Sequence, residues 1–338
     1  MNLTSIIDSS KVRTSKGSGH GEEGRQTERR TALKQLLATL RADDYRFVTA
    51  TPATHRRVVA RADRTRAKNL RDVLGWSLPF TSDVVQPAVL ELLQRAGAVE
   101  QRDDGLLAAT IRVSSVRGAL FLHSAYPTLA EDSVFLGPDS YRFADLIVAR
   151  MGRLPEGAQI LDYGAGAGVG GITAARGRPG SVLTLADINP KALFLASINA
   201  EFTGVDHRTV EAGRPADLTA EFDLIVTHPP FMMDDGARAY RDGGDLYGGR
   251  LSLDWVCDGM RLLRPGGKII LHTGVSIVDG RDVLLDALRE RIPSAGWRFD
   301  YHELDPDIFG DELDQPAYAE VERIAAVGLV LTRTDGDG

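Results

Sequence analysis

The sequence predicts an α/β protein: a mostly parallel sheet with helical crossovers, preceded by a mainly helical, winged-helix-like accessory domain. Three observations predict it. From Ala158 on, the strand-like runs AQILDYG, SVLTLAD, FDLIVTHP and KIILHTG alternate with helical patterns, the mark of parallel strands joined by crossover helices. Between residues 29 and 99 the apolar positions recur at helical spacing instead. The 338 residues, 43% hydrophobic and 26% charged, suffice for two packed cores of roughly 150 residues each.

Residues 1–28 are polar and rich in Ser, Gly and Thr, and are expected to form a flexible tail. They lack the apolar core of a signal peptide, and no apolar run reaches membrane-spanning length, so a cytoplasmic location without membrane contact is expected. The single cysteine, Cys257, excludes an internal disulfide framework and a cysteine-built zinc site.

The accessory domain is placed at 29–129. Ala32, Leu33, Leu36, Leu37 and Leu40 follow helical spacing. A second helix is expected from about Pro52 to Leu74. On it Arg57, Arg61, Arg64, Lys68 and Arg71, spaced by four, three, four and three, share one face. That face reads either as an RNA-binding surface or as a plain solvated one. A third helix covers 82–99. LLAATIRVSS (106–115) and ALFLHS (119–124) read as a strand pair around Val116-Arg117-Gly118. Helices followed by a hairpin suggest a winged-helix-like module, which either binds nucleic acid or covers a substrate.

The second domain is placed at 130–338. Its first motif is ILDYGAGAGVGG (160–171): a buried strand ending at Asp162, then Gly164, Gly166 and Gly168 before a helix. Glycines there allow unusual backbone angles and close approach to a ligand, although dinucleotide folds use a related turn. The second is ADINPKAL (186–193), where Asp187 ends the next strand and can accept both hydroxyls of a ribose, or serve as a cap. The third is FDLIVTHPPFM (222–232), a strand followed by His228-Pro229-Pro230-Phe231, and LRPGGKIILHTG (263–274) follows it.

With these four motifs in this order, the segment from about 140 to 335 resembles class I S-adenosylmethionine-dependent methyltransferases with an (Asn/Asp/Ser)-Pro-Pro-(Tyr/Phe) turn. That group includes ribosomal RNA guanine-N2, release-factor glutamine and adenine-N6 methyltransferases. The resemblance implies a Rossmann-like seven-stranded methyltransferase sheet and S-adenosyl-L-methionine as cofactor. It implies that Asp162, Gly164, Ala165, Gly166 and Gly168 hold the methionine part, and that Asp187 with Ile188 takes the ribose end. It further implies that His228, Pro229, Pro230 and Phe231 form the catalytic turn beside the transferred methyl. The turn offers oxygen acceptors that aim the nucleophilic nitrogen, and the aromatic residue walls the acceptor group. The protein's part in such a transfer is positioning and exclusion of water.

The chain departs from that pattern at His228, where Asn is usual. An imidazole can accept a hydrogen bond and can also take a proton, which suits a basic nitrogen. Two acid-rich segments follow. The loop 232–245 holds Asp234, Asp235, Asp242 and Asp245 against Arg238 and Arg241, and residues 303–322 hold eight acids and no Lys or Arg. Both are expected at the carboxyl end of the sheet, where ligands bind. An acidic mouth there attracts cations and repels phosphates. Asp234, Asp235, Asp242 and Asp307 are therefore candidate substrate contacts, joined by Tyr141 of the segment Asp139-Ser140-Tyr141. His272 reads either as a residue reaching the mouth or as a structural histidine.

The expected function is N-methylation of a cationic small molecule, an amino or guanidino nitrogen such as that of arginine. The alternatives are an RNA base, a protein glutamine, and a silent binding module on the same fold. The net charge of −7 divides accordingly: residues 41–71 carry nine basic and three acidic residues, and the remainder is strongly acidic.

Overall fold

The computed structural model describes residues 19–234 and 240–334. The accessory region comprises α1 (Gly19–Ala42), α2 (Pro52–Val59), α3 (Leu70–Leu74), α4 (Pro87–Arg95), β1 (Val99–Gln101), β2 (Leu107–Ala109), β3 (Ile111–Val116) and β4 (Ala119–Ser124). Leu33, Leu36, Leu37 and Leu40 are fully buried, as their spacing requires of one helix face. Of the flexible tail expected over 1–28, residues 19–28 form the first turns of α1, and residues 1–18 lie outside the described residues.

The helix expected over 52–74 is broken. Asp72, buried at the end of that stretch, accepts the Arg64 guanidinium at 2.6 Å and the Lys68 backbone N–H at 3.0 Å, while Asn69 caps α3 by accepting the Asp72 N–H. Residues eight apart on a continuous helix stand about 12 Å apart, so these bonds exclude one. The five basic residues therefore share no single helix face. Arg64 packs over Trp76 and Arg71 over Phe47.

α3, a short 3₁₀ turn, α4 and the β1–β2 hairpin follow in order, and an antiparallel bridge between Phe80 and Leu107 ties the hairpin to the segment before α4. The nine-residue α4 packs against α1, and Arg95 pairs with Glu28. The β1–β2 turn carries Asp103 and Asp104. Of the strand pair expected at 106–115 and 119–124, the first run splits: Leu107–Ala109 pairs with β1, and only Ile111–Val116 pairs with β4, in register Val116↔Ala119 around Arg117-Gly118.

The second region runs α5 (Pro138–Arg150), β5 (Gln159–Tyr163), α6 (Val169–Gly177), β6 (Val182–Asp187), α7 (Pro190–Phe202), β7 (His207–Glu211), β8 (Phe222–Thr227), α8 (Arg250–Met260), β9 (Leu263–Val278), β10 (Arg281–Asp282), α9 (Val283–Arg291), β11 (Trp297–Asp305) and β12 (Arg323–Arg333). The strand order is β11-β12-β9-β8-β5-β6-β7. β5 to β9 are parallel, and β12 is antiparallel to both β9 and β11. This is the expected α/β architecture. The order of connection reverses between β5 and β8, which opens a crevice at their carboxyl ends.

The two regions share one core, which extends from Leu33 and Leu93 through Phe121 and Leu122 to Ile160 and Leu183. Buried Asn199 of α7 joins them by hydrogen bonds: its Oδ1 accepts the Leu122 N–H, and its Nδ2 donates to the Leu122 and Ala167 carbonyls. The same side chain thus holds an accessory strand against the glycine turn. No described helix is long and apolar enough to cross a membrane.

Candidate active site

A cavity of about 560 Å³ opens at the crevice between β5 and β8, within the usual range for small-molecule sites. Its inner wall is the glycine turn. Gly164, Gly166 and Gly168 all have positive φ (+69°, +52° and +78°), which side-chain-bearing residues adopt only with strain. A Cβ on Gly164 would stand 2.6 Å from the Trp255 ring, whereas one on Gly166 would meet almost nothing. The Gly164 and Ala165 N–H groups donate to the Ala186 carbonyl, and that of Gly166 to Asp187 Oδ2 at 2.8 Å. Asp187 Oδ1 accepts from Asn189 N–H at 2.9 Å. One carboxylate thereby sets both the turn and the start of α7. Burial raises the pKa of Asp187, and these backbone donors oppose the rise.

Asp162 is buried beneath the turn. Its Oδ2 accepts the Gly171 N–H at 2.7 Å, and burial lifts its pKa to about 8. Its second oxygen has no partner among the described residues. Ile188, 58% exposed although apolar, lines the same wall with Ala212 and Gly213. An apolar side chain left in the open, a carboxylate at a strand end and a second, under-bonded carboxylate fit the adenosine and amino-acid ends of S-adenosylmethionine. The cofactor supplies an electrophilic methyl on a sulfonium.

His228 follows β8 directly. Its Nδ1 lies 2.8 Å from the His272 carbonyl, which can only accept, so Nδ1 carries the proton and Nε2 keeps a lone pair. Burial lowers its pKa, and the Asp139 carboxylate and the His272 carbonyl oppose the shift. His228 is therefore neutral near pH 7. The Phe143 and Phe231 rings each stand 5.7 Å from it, and Phe231 lies 6.0 Å from Phe309. Gly274 allows the Phe231 ring in, since a Cβ there would approach it to 2.3 Å. His272 itself is fully buried and acts through its carbonyl.

The cavity gathers Asp162, Gly164, Ala165, Gly166, Asp187, Ile188, His228, Pro229, Pro230 and Phe231. Gly168 does not line the cavity; a Cβ there would crowd Ile172 at 3.0 Å and Ala196 at 3.2 Å. The expected substrate contacts lie elsewhere. Tyr141 is off the cavity, with its hydroxyl accepting the Thr49 N–H, while Asp139, Ser140 and Phe143 of the same helix line it. Asp234 pairs with Arg241 at 3.2 Å. Asp242 accepts the Gly244 N–H, and Asp307 is exposed away from the cavity. Asp235 and Arg238 lie outside the described residues.

The acidic mouth is correspondingly reduced. Arg241 also holds Glu312, Arg142 holds Asp305 at 2.6 Å, and Arg323 holds Glu303 at 3.0 Å. The sequence pointed to Arg57 of the outer wall, on the basic face, and to the acidic run that holds Asp311 and Glu312, but not to the rest of that wall. The wall consists of Thr51 to Ala53, Arg56 and Arg57 of the accessory region, the stretch from Tyr126 to Phe135, and Phe309 to Glu312. Tyr240 ties it together, donating to the Thr128 carbonyl at 2.6 Å and stacking near Phe135.

A family model described as the methyltransferase small domain matches residues 142–272. The release factor glutamine methyltransferase of Deinococcus radiodurans is 30% identical over 167 residues, covering 47% of this chain and 58% of that protein. The ribosomal RNA small subunit methyltransferase C of Hahella chejuensis is 33% identical over 120 residues, 35% of this chain and 32% of that protein. A solved structure, the 16S rRNA N2 G1207 methyltransferase of Thermus thermophilus with AdoMet and guanosine, aligns at a TM-score of 0.43. Its identity is 17%, over 76% of this chain and 64% of that one. The chain spans about half the length of the curated relatives it matches. The matched segment is similar to methyltransferase domains and carries the α/β sheet described above.

Proposed function

We propose that the chain is an S-adenosylmethionine-dependent N-methyltransferase acting on the exocyclic amine of an RNA base. The observation that carries this reading is the lone pair on His228 Nε2, left free because Nδ1–H is engaged by the His272 carbonyl. A neutral amine can donate one N–H to Nε2, which turns its own lone pair toward the methyl. Methyl transfer would exchange a carbon–sulfur bond for a carbon–nitrogen bond and leave a neutral thioether, and the proton that the methylated nitrogen then sheds can pass to Nε2. The depressed pKa of His228 disfavours the expected cationic acceptor, because such an imidazole is a weak base toward an ammonium or guanidinium. The pairing of Asp305, Glu303, Asp234 and Glu312 with arginines removes the second argument for that substrate.

The aromatic walls Phe143, Phe231 and Phe309 suit a planar acceptor. Arg56 and Arg57 at the rim favour RNA over a protein glutamine. A relative whose name assigns it to ribosomal RNA supports the same choice. The test is incubation with methyl-labelled cofactor and ribosomal RNA, followed by digestion to nucleosides. Label on an exocyclic-amine nucleoside is expected. Label on a ring nitrogen, on free arginine or on a glutamine side chain would contradict the reading.

A further inference from the structure

We propose that Arg56 and Arg57 form a phosphate-binding pair for the acceptor RNA, and that Asp311 occupies this pair until RNA arrives. The proposal rests on the RNA reading above and names the part of the substrate that the rim holds. Arg56 Nη2 lies 3.4 Å from Asp311 Oδ2, and Arg57 Nη2 lies 3.9 Å from Asp311 Oδ1. Two adjacent guanidinium groups thus converge on both oxygens of one carboxylate. All three residues line the cavity that reaches His228. A phosphodiester presents the same feature, two anionic oxygens on one atom, to which arginine forks are matched.

Asp311 differs from Glu312 and Asp305 of its segment. Glu312 is held by the part-buried Arg241, and Asp305 by Arg142 at 2.6 Å. Asp311 has only these two long contacts among the described residues. Its side chain is 48% exposed, against 61% for Arg56 and 73% for Arg57. Ion pairs so exposed are weak and screened by salt, so a phosphate can displace the carboxylate. The displaced pair spans two regions, because Arg56 and Arg57 belong to α2 and Asp311 to the turn Gly310–Asp314 between the last two strands. RNA binding and widening of the mouth are then one event.

The test uses the full chain, labelled cofactor and ribosomal RNA, with a short single-stranded RNA as binding probe. The Arg56→Ala/Arg57→Ala double variant should raise the KM for RNA about tenfold. It should also flatten the log–log salt dependence of probe binding by about 1.5, the loss of two phosphate contacts. Asp311→Asn should lower the KM about threefold. Cofactor affinity should not change in either. An unchanged KM and salt slope in the double variant, with RNA still methylated, overturns the phosphate pair and leaves the acceptor reading standing. A raised KM in Asp311→Asn overturns the role of Asp311 as occupant. Label reaching a protein glutamine but never RNA overturns the acceptor reading and this proposal together.

Discussion

The two halves of the cavity are built in opposite ways. The cofactor half is made of backbone. Gly164, Ala165 and Gly166 donate to Ala186 and Asp187, Asp162 holds Gly171, and Asn199 holds Ala167. The acceptor half is made of side chains from distant segments, joined by the exposed Arg56–Asp311 pair and by the part-buried Arg241–Glu312 and Tyr240–Thr128 contacts. Buried backbone bonds cannot be exchanged cheaply, whereas exposed ion pairs can. The comparison teaches that one half is set before any ligand binds, and that the other is assembled to be rearranged by a large acceptor.

The strongest way to break this contrast is in the glycine turn. Gly164→Val places a branched side chain at φ +69° and against Trp255, and should abolish cofactor binding by calorimetry. Next in size is His228. His228→Ala should lower turnover about 100-fold with cofactor affinity kept, because only the aiming of the acceptor is lost. His228→Asn restores an acceptor that cannot take a proton, and should recover most of the turnover. If Asn is as poor as Ala, proton uptake rather than aiming is the role of His228.

Asp162 gives a pH-dependent test of the cofactor half. Its pKa in the fold, about 8, lies above the ordinary carboxylate value of 3.8. The sign follows from linkage: stability from the buried neutral carboxyl is fully present below the ordinary value and is lost as pH rises through about 8. A bound ammonium favours the ionised form, so cofactor binding releases a proton below that pH. Affinity should therefore rise by up to about tenfold per pH unit below the pKa, and Asp162→Asn should flatten the slope. The smallest effect is expected where α1 docks on α7. Glu201 pairs there with Arg30 and with Lys34 at 2.9 Å, and Glu201→Gln should cost under about 1 kcal/mol in chemical denaturation.

The same contrast explains what could be read from the sequence. The cofactor half was legible because its parts are local. The glycine turn follows its own strand, and Asp187 ends the next one. The sheet was legible because strands buried on both faces read as apolar runs. The acceptor half was not legible, because its contacts join residues far apart in the chain. Nothing in 303–322 reveals that Asp305 meets Arg142, or that Glu312 meets Arg241. Tyr141 was misplaced by helix phase. Asp139 and Phe143 are four residues apart and share the face toward the cavity, while Tyr141, two residues on from Asp139, points to Thr49. The helix expected over 52–74 failed through Asp72, whose buried carboxylate draws Arg64 and Lys68 out of helical geometry.

The central claim is that His228 aims a neutral RNA amine at a methyl held by the glycine half. It is tested most directly by competition, with ribosomal RNA, a release factor and free arginine offered together to the protein with labelled cofactor. The account predicts label in RNA alone, on an exocyclic amine, and reduced about 100-fold in His228→Ala. Label in the release factor or in arginine, with none in RNA, would contradict it.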